Sequence, residues 1–389
     1  MSRIKTIAKK AIITADDFID DIKVHHLRNG EFRKYKDPRR KAIYETVNLT
    51  SEQKQEIDDL FLRNYGEKIP YTWHRHFTAF TGNFDKNYLP ELLFIPEFEY
   101  YMNYNKAYID VLADKNIIPM IAGYGGVLTP NVFAMCVEGM VSDGKRILKD
   151  NEVYRYLSDI GDAFIKPTVG ASSGEGCFVV DFHDGKDEIS GKPISEILKN
   201  LGCNYVVQER LKCHSSISKI YPNSVNTFRV ITYRWKDQIY AMPAIMRIGR
   251  GNATVDNAHA GGIFVAIEND GTLHKTAFTE FRKSYEAHPD TGLVFDGYKI
   301  EGFENVMKAA KRMHSIIPQL GVYNWDFTIN EDGEPVLIEV NTEAGSVWML
   351  QMAHGKGAFD DRMPEILTWI RKMKTLKKSQ RKEYLFGEV

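Results

Sequence analysis

The stretch from Asn324 to Asn341, "NWDFTINEDGEPVLIEVN", carries the strongest fold signal in the sequence. At its centre, Asp332-Gly333 is a typical two-residue hairpin turn between runs of alternating apolar residues. A turn centred there places Asp326 directly opposite Glu339, with both side chains on one face of the two-stranded ribbon. The other face is predicted to be core and carries Trp325, Phe327, Ile329, Val336, Ile338 and Val340.

Two carboxylates that face each other across a ribbon repel, and a bound cation between them would explain the pairing. The same register puts Asn341 opposite Asn324 on this face, which adds an amide oxygen. Mg²⁺ prefers hard oxygen ligands, usually one or two carboxylates together with substrate phosphates. The pattern therefore predicts a magnesium site at Asp326, Glu339 and Asn341. The alternative is the solvated polar face of an edge hairpin, because a one-residue slip of register would turn the face over.

A second motif runs from Phe164 to Asp181, "FIKPTVGASSGEGCFVVD". Lys166 ends an apolar run and is followed by a loop of small residues and then by a second apolar run. Backbone N–H groups of such a loop can hold phosphate oxygens, with the lysine as a point charge. In a Walker A loop the lysine follows the glycines, so the order here predicts a hairpin lid instead. The alternative is a flexible turn. The predicted phosphate-contacting residues are Lys166, Gly170, Ser172, Ser173 and Gly174.

Length and composition limit the classes of protein to which the chain can belong. A chain of 389 residues predicts two or three packed units that share one cleft. The 51 basic and 52 acidic residues give no support for a nucleic-acid-binding protein. The 4 cysteines form no CxxC pair, which indicates reduced thiols. We find no secretory h-region and no apolar run near the roughly 20 residues that span a bilayer, so the expected location is cytoplasmic.

The order of predicted elements indicates an α+β fold with antiparallel sheets, because strands, hairpins and helices are mixed along the chain. Helices are expected over residues 1–60, with breaks near Gly30 and near Asp37-Pro38, and "IIPMIAG" (117–123) is expected to be a short buried strand. The predicted domains are an N-terminal helical region (1–65), a second N-terminal domain (66–150), a small lid subdomain (151–215) and a large subdomain with the C-terminal helix (216–389).

Three segments taken in order resemble the ATP-grasp superfamily. They are "KPTVGASSGEG" (166–176), "VVQERL" (206–211) and "WDFTINEDGEPVLIEVNTEAG" (325–345), and each is similar to a motif of the D-alanine–D-alanine ligase-like members. The resemblance covers roughly residues 100–355, and its last motif is the most specific. The N-terminal helices with "YTWHRHFTAFTGNF" (71–84) resemble the sugar-transfer-associated ATP-grasp group, which is met in polysaccharide biosynthesis.

The resemblance implies an ATP-grasp fold with a nucleotide clamped between two α+β subdomains. Carried over by motif, Lys166 contacts the ATP phosphates and Asp326, Glu339 and Asn341 hold Mg²⁺. Lys106, in "YNKAYIDVL", matches an earlier nucleotide-contacting lysine, or else is a solvated helix residue. The residues implied to line the adenine and ribose site are Gln208, Glu209 and Leu211.

One departure from the family pattern concerns the transferred phosphoryl group. D-alanine ligases carry an arginine two residues before the first metal aspartate, and this sequence has Asn324 there. The charge that builds on the phosphoryl group still needs a cation, and we expect Arg229 and Arg247 to supply it. A surface salt bridge is the alternative for either arginine. Asn257 and His259, in "GRGNATVDNAHAGG", are candidates for substrate contact.

The resemblance predicts an ATP-dependent carboxylate–amine ligase that acts through an acylphosphate. Its implied partners are a small or sugar-linked carboxylate and an amine such as an amino acid. Two alternatives stay open: phosphoryl transfer without ligation, and a nucleotide-binding scaffold in a glycan-assembly complex. The basic segments 3–10 and 371–382 are candidates for contact with an anionic membrane surface, or else are solvated helix faces. The sequence does not indicate an oligomeric state.

Overall fold

The computed structural model describes residues 2–168 and 176–381, and these residues form helices and two sheets. Strands within both sheets pair antiparallel. The predicted α+β class is therefore confirmed. Among the described residues, no helix combines the length and apolar character that crossing a membrane requires.

The N-terminal part of the chain is helical. Its elements are α1 (Ser2–Lys34), α2 (Pro38–Tyr44), α3 (Ser51–Asn64), α4 (Thr72–Thr81), α5 (Glu91–Leu93), a π-helix (Phe94–Glu99), α6 (Tyr100–Met102), α7 (Lys106–Ala113) and α8 (Ile117–Tyr124). The expected break at Gly30 is wrong, because one internal glycine costs a helix only about 1 kcal/mol and α1 continues through it. The break at Asp37-Pro38 is present, and the Asp37 side chain caps α2 by accepting from the N–H of Arg39.

The segment 117–123 is helical, so the predicted short strand is wrong. Ile118 and Ala122 are its buried residues, and their spacing of four places them on one helix face. Pro119 falls in the first turn, where a missing N–H is tolerated. A short apolar run is compatible with both a buried strand and a buried helix, so the residue pattern does not distinguish the two.

The smaller sheet has six strands in the order β2-β1-β6-β3-β4-β5. Its elements and flanking helices are β1 (Val132–Val137), β2 (Met140–Ser142), α9 (Asp150–Leu157), β3 (Gly161–Pro167), β4 (Phe178–His183), β5 (Lys186–Asp187), α10 (Ile194–Asn200) and β6 (Tyr205–Glu209). Apolar residues of both helices and the sheet form one core. The domain boundary at residue 150 remains a prediction, and β1 and β2 of this sheet lie before it.

The larger sheet has eight strands, seven of them in the order β12-β11-β10-β9-β7-β13-β14, with β8 paired to β7. The strands are β7 (Thr227–Trp235), β8 (Gln238–Ala241), β9 (Ala244–Ile248), β10 (Ile263–Ile267), β11 (Leu273–Phe278), β12 (Ser284–Tyr285), β13 (Val322–Ile329) and β14 (Pro335–Asn341). The associated helices are α11 (Ser215–Ser218), α12 (Phe303–Ile316), α13 (Val347–His354), α14 (Met363–Thr375) and α15 (Lys378–Arg381), with 3₁₀ turns at Ala258–Ala260 and Asp360–Arg362.

The larger sheet is buried on both faces. In β7, Phe228 and Val230 point to a core that includes α12, whereas Ile231 and Tyr233 point to a second core. That second core joins the N-terminal helices to α13 and α14. The period-2 alternation of β7 therefore separates two apolar layers rather than a core from solvent.

The basic C-terminal segment lies against α1. Lys377 Nζ is 2.6 Å from Asp21 Oδ2, and Lys378 Nζ is 2.9 Å from Asp16 Oδ1. These two lysines thus face an acidic surface of the same chain. Contact of the basic segments with a membrane remains a prediction.

Candidate functional site

The β13–β14 hairpin has the predicted register at its open end. Asp326 pairs with Glu339, and Asn324 pairs with Asn341. The Nδ2 of Asn341 lies 3.3 Å from Asp326 Oδ2 and 3.3 Å from Glu339 Oε1, so this amide bridges the two carboxylates. The three side chains predicted to share a metal are therefore brought together on one face of the ribbon.

The hairpin departs from simple pairing just beyond this cluster. Phe327 pairs with Leu337, so the register shifts by one residue and Ile338 is left in a β-bulge. The prediction that Ile338 belongs to the core is wrong: it is half-buried, and Leu337 is fully buried in the core instead. Bulges are common beside active sites because they re-aim backbone and side-chain groups.

Asp326 is held by two arginines from neighbouring strands. Arg229 pairs with Asp326 across β7 and β13, and it donates from Nε to Oδ1 (2.6 Å) and from Nη2 to Oδ2 (3.0 Å). Arg247 Nη2, from β9, is 3.1 Å from Oδ2. All three side chains are buried, so the surface-salt-bridge alternative does not describe these pairs. Burial disfavours the Asp326 carboxylate, but the two guanidinium groups outweigh it and lower its pKa.

A second buried acid fixes Arg247 from the other side. The Arg247 guanidinium donates to Thr227 Oγ1 at 2.7 and 3.1 Å, and its Nη2 lies 3.7 Å from Asp256 Oδ1. Asp256 Oδ2 in turn accepts from the N–H of Thr227 at 2.8 Å. Burial opposes the charge on Arg247, yet Asp256 and Asp326 raise its pKa. Arg247 therefore stays charged and fixed in position.

The smaller sheet contributes Lys166, near the end of β3. Its side chain is buried, and Nζ lies 3.4 Å from the carbonyl oxygen of Ile338 in the bulge. Burial lowers the pKa of Lys166, and the negative charge of Glu339 partly offsets this. Lys115 is a second cation here, since its charge also acts on Lys166 and its Nζ is 3.3 Å from the Pro167 carbonyl oxygen.

A crevice separates the two sheets at this point. Its lining includes Lys115, Thr129, Pro130, Lys166, Gln208, Ile338 and Glu339. Gln208 and Lys166 thus line the same crevice, and contact of Gln208 with the adenine and ribose of a nucleotide remains a prediction. Glu209 follows on β6 and accepts hydrogen bonds from Asn131 N (2.9 Å) and Nδ2 (2.7 Å). Leu211 is half-buried beyond the end of β6.

Other predicted site residues take different positions. Lys106 is exposed on α7 and pairs with Asp110, with Nζ 2.6 Å from Oδ1, which matches the solvated-helix alternative. Asn257 caps a 3₁₀ turn by accepting from the N–H of His259, and His259 Nδ1 is 2.8 Å from Glu280 Oε2. Gly170, Ser172, Ser173 and Gly174 lie outside the described residues.

A family model described as "Sugar-transfer associated ATP-grasp" matches residues 96–365, which is more than half of the chain. The chain belongs to the sugar-transfer-associated ATP-grasp family. The fold implied by the sequence motifs is thereby confirmed. None of the curated proteins compared with this sequence matches it.

Solved structures similar to this ATP-grasp protein include several ligases and synthases. A D-alanine–D-alanine ligase from Bacillus anthracis complexed with ATP is 17% identical, with a TM-score of 0.39, over 70% of this chain and 68% of that one. An N5-carboxyaminoimidazole synthase from Aspergillus clavatus with bound ADP is 13% identical, with a TM-score of 0.37, over 62% and 47%. An L-amino acid ligase from Bacillus licheniformis is 14% identical, with a TM-score of 0.37, over 70% and 50%.

The chain thus spans about half the length of the Aspergillus clavatus synthase and of the Bacillus licheniformis ligase. At these identities and TM-scores, the substrates and partners of the similar proteins cannot be assigned to this ATP-grasp chain.

The sequence motifs do not indicate three residues near the cluster, which are Lys115, Asp256 and Glu99. Lys115 lies in the connection between α7 and α8, and a strand at 117–123 would place that connection differently. Asp256 and Glu99 carry no local motif, because each reaches the cluster only through long-range packing. Glu99 lies in the segment 91–102 together with Glu91 and Glu97, which are also buried, so nothing in the residue pattern distinguishes it.

Glu99 enters the cluster from the π-helix. Its Oε1 accepts from Asn324 Nδ2 (3.1 Å) and from the N–H of Gly345 (3.0 Å). A Cβ on Gly345 would lie 2.5 Å from Asn324 Oδ1 and 2.7 Å from Glu99 Oε1. These contacts are too close for any side chain, so the loop after β14 needs glycine here.

Gly345→Ala is therefore expected to destabilise the protein by about 1–3 kcal/mol, because both polar partners must move. Urea denaturation measures the change. Gly30→Ala is the control, since nothing lies within 4 Å of its added Cβ and the substitution sits inside α1. We expect that control to be neutral or to stabilise by up to about 1 kcal/mol. Equal effects of the two substitutions would contradict the close-contact argument.

Burial raises the pKa of Glu99 from 4.5 to about 7, so this residue gives one part of the pH dependence of stability a definite sign. The folded protein holds a proton on Glu99 that the unfolded chain releases, so the contribution of Glu99 to stability falls as pH rises from about 4.5 to about 7. The expected loss is roughly 2–3 kcal/mol. Glu99→Gln should remove it, so the stability of the variant relative to the parent should rise by that amount over this pH range, as measured by urea denaturation of both proteins. A difference between the two proteins that does not change with pH would show that Glu99 is not buried in this way.

Proposed function

We propose that this ATP-grasp protein is an ATP-dependent carboxylate–amine ligase. The observation that carries the proposal is the convergence of Lys166, Arg229 and Arg247 on the paired carboxylates Asp326 and Glu339, at the edge of a crevice between two sheets. With Lys115 and Asp256, four cationic side chains face three carboxylates. Such a cluster suits phosphate groups together with one divalent cation.

The side chains present fit Mg²⁺, because Asp326 and Glu339 are hard oxygen donors at opposing ladder positions and Asn341 adds an amide oxygen two residues from Glu339. The Asn341 amide would have to turn over to offer that oxygen, since its Nδ2 faces the two carboxylates in this structure. Asp326 already accepts from two arginines, whereas the Glu339 carboxylate lines the crevice and accepts from Asn341 Nδ2 at 3.3 Å. Glu339 is therefore the proposed ligand with most freedom to turn toward an ion. When bound, Mg²⁺ would neutralise charge on the phosphate oxygens.

The proposed reaction has two steps. A substrate carboxylate oxygen attacks the γ-phosphorus of ATP, the bond to the β-phosphate oxygen breaks, and an acylphosphate and ADP result. An amine then attacks the acyl carbon, phosphate leaves, and the nitrogen loses a proton to give an amide. Lys166 would hold the phosphates as a point charge, and Arg229 and Arg247 would stabilise charge at the transferred group. Gln208 would contact the nucleotide from β6.

The family name supports a sugar-linked substrate, and we propose an acid or amine of a surface polysaccharide or sugar conjugate. The Gly170–Gly174 loop is proposed as the phosphate lid, with Ser172 and Ser173 as donors. Lys106 is also proposed to contact the nucleotide, and Asn257 to contact the substrate. Both side chains would first have to leave their present contacts, which are an ion pair for Lys106 and a helix cap for Asn257.

The test is an ADP-release screen over paired acids and amines, with mass spectrometry of the products. Ligation predicts ADP release that requires both partners and yields an amide of matching mass. ADP release with a phosphorylated product and no need for the amine would instead establish phosphoryl transfer. Nucleotide binding without turnover across the screen would favour a scaffold.

A further inference from the structure

Three potential metal ligands meet on the larger sheet, outside the crevice. Glu268 follows β10, His274 lies in β11, and His354 ends α13. One candidate ligand atom from each lies within 4.8 Å of the other two. Glu268 is exposed, His274 is half-buried and His354 is buried, so the group forms a shallow surface site with His354 as its floor.

The hydrogen bond of His354 fixes its tautomer. Nε2 is 2.7 Å from the carbonyl oxygen of Ala244, which can only accept, so Nε2 carries a proton. Nδ1, the other ring nitrogen, faces Glu268 Oε1 at 3.9 Å, which is too long for a hydrogen bond. A gap therefore separates this nitrogen from the carboxylate.

The other charged groups near Glu268 leave the space between its carboxylate and His354 open. His274 Nε2 lies 2.6 Å from the same Oε1, so it engages one side of the carboxylate. Lys356 is near enough to lower the pKa of Glu268, but in the described part of the chain the ion pairs of Glu268 are with the two histidines. The space between Nδ1 of His354 and the carboxylate is thus suited to a small cation.

We propose that Glu268, His274 and His354 bind a divalent transition-metal ion, with zinc as the expected occupant. Two imidazoles and one carboxylate are a common zinc ligand set, and water would complete a tetrahedral shell. The Ala244 carbonyl accepts a hydrogen bond from the other ring nitrogen of His354, and such a bond commonly orients a metal-binding histidine. Bond lengths of about 2.0–2.2 Å place the ligand atoms of a tetrahedral ion roughly 3.4 Å apart. Glu268 Oε1 would therefore move closer to His354 Nδ1, from 3.9 Å, and away from His274 Nε2, from 2.6 Å, and Glu268 is exposed and free to make both shifts. His274 would give up its Nε2 proton, either to its own Nδ1 or to solvent.

The position of the site suggests a structural role. α13 has 8 residues and begins directly after Ser346, whose Oγ is 3.4 Å from Arg229 Nη1. A helix of that length spans about 12 Å, so the ion would anchor the far end of a helix that starts beside the carboxylate cluster. It would tie that helix to the β10–β11 turn.

Zinc titration of the full chain tests the proposal, using untagged protein stripped with a chelator and assayed by calorimetry in excess Mg²⁺. We expect one zinc ion per chain. Substitution of a residue that only hydrogen-bonds to a metal ligand typically lowers metal affinity about 10–100-fold. Glu268→Gln and His274→Gln remove ligands themselves, so each should weaken zinc binding by at least about 100-fold. His183→Gln is the control, because His183 is a surface histidine paired with Asp181, with Nε2 2.9 Å from Oδ1. That variant should bind zinc as the parent does.

The parent protein loaded with Co²⁺ gives a second readout that needs no variant. Nitrogen and oxygen ligands in a tetrahedral shell predict d–d bands in the visible region without a thiolate-to-cobalt charge-transfer band in the near ultraviolet. A thiolate band would place the metal on cysteine and overturn the proposal. So would the absence of saturable zinc binding, or zinc affinity unchanged in both ligand variants. None of these outcomes depends on ligase activity.

Discussion

Glu339→Gln should lower ATP-dependent ADP release at least about 100-fold while changing the free energy of unfolding by less than about 1 kcal/mol. The loss is expected because the substitution removes a charged oxygen proposed to hold Mg²⁺ where phosphoryl charge develops, and single electrostatic groups of this kind are worth about 10²–10³ in rate. The small effect on stability is expected because Glu339 is half-buried and the hydrogen bond that it accepts from Asn341 is long, at 3.3 Å.

Glu334→Gln is the matched control. It makes the same chemical change on the same hairpin, but at an exposed position near the turn. Rates are measured with a coupled ADP assay on the substrate pair found in the screen, and a Mg²⁺ titration separates weak metal binding from a direct role. Turnover of Glu339→Gln near the parental rate would show that this carboxylate does not hold the metal.

Asp326→Asn is expected to cost about 3–5 kcal/mol of unfolding free energy. Both guanidinium groups that contact Asp326 are buried. Removal of its charge takes away the carboxylate that accepts two hydrogen bonds from Arg229, while Arg247 keeps Asp256 at 3.7 Å, so the main loss is the uncompensated charge of Arg229 in a low-dielectric interior. This loss would exceed that of Glu339→Gln, although the two acids face each other across the hairpin. Urea denaturation measures it.

Asp332→Asn provides the control, because it is the same change in the exposed turn, where Asn-Gly is as favourable as Asp-Gly. A double variant that also carries Arg229→Met should lose less than the sum of the single losses, since each partner is costly mainly when left unpaired. If Asp326→Asn were as stable as Asp332→Asn, the buried ion cluster would not be present in solution.

Local patterns predicted the parts of the fold and site that depend on neighbouring residues. The pairing of Asp326 with Glu339 followed from the Asp332-Gly333 turn signal, but the predicted two-residue turn is wrong. Ile329 pairs with Pro335, so residues 330–334 form the connection, and the bulge at Ile338 restores the predicted register at Asp326 and Glu339. The bulge at Ile338 did not follow, because the apolar run from Val336 to Ile338 has no alternation that could reveal a shifted register. The helix at 117–124 was missed for the same reason, since a short apolar run does not reveal its period.

Sequence patterns did not predict contacts between residues that are far apart along the chain. Arg229 and Asp326 are 97 residues apart, and their contact depends on which strand is added beside β13. The arginines were proposed to act on a phosphoryl group, but nothing local indicated that Asp326 would hold them. Lys115 and Glu99 likewise reach the cluster through the packing of separate elements. Residue type could suggest the chemistry of the site, but not the full set of its members.

The core shared by both ends of the chain determines how this protein can be shortened. Tyr35 and Trp73, near the start, pack in the same apolar cluster as Trp369 and Met373 of α14. Arg381 Nη1 also bonds to Asp20 Oδ2 of α1 at 2.5 Å. A fragment trimmed to residues 96–365 would keep every proposed catalytic group, yet it would strip one face of the larger sheet of its cover and should aggregate on expression. The family match covers residues 96–365, but we expect stable folding to require the helices on both sides of that segment as well.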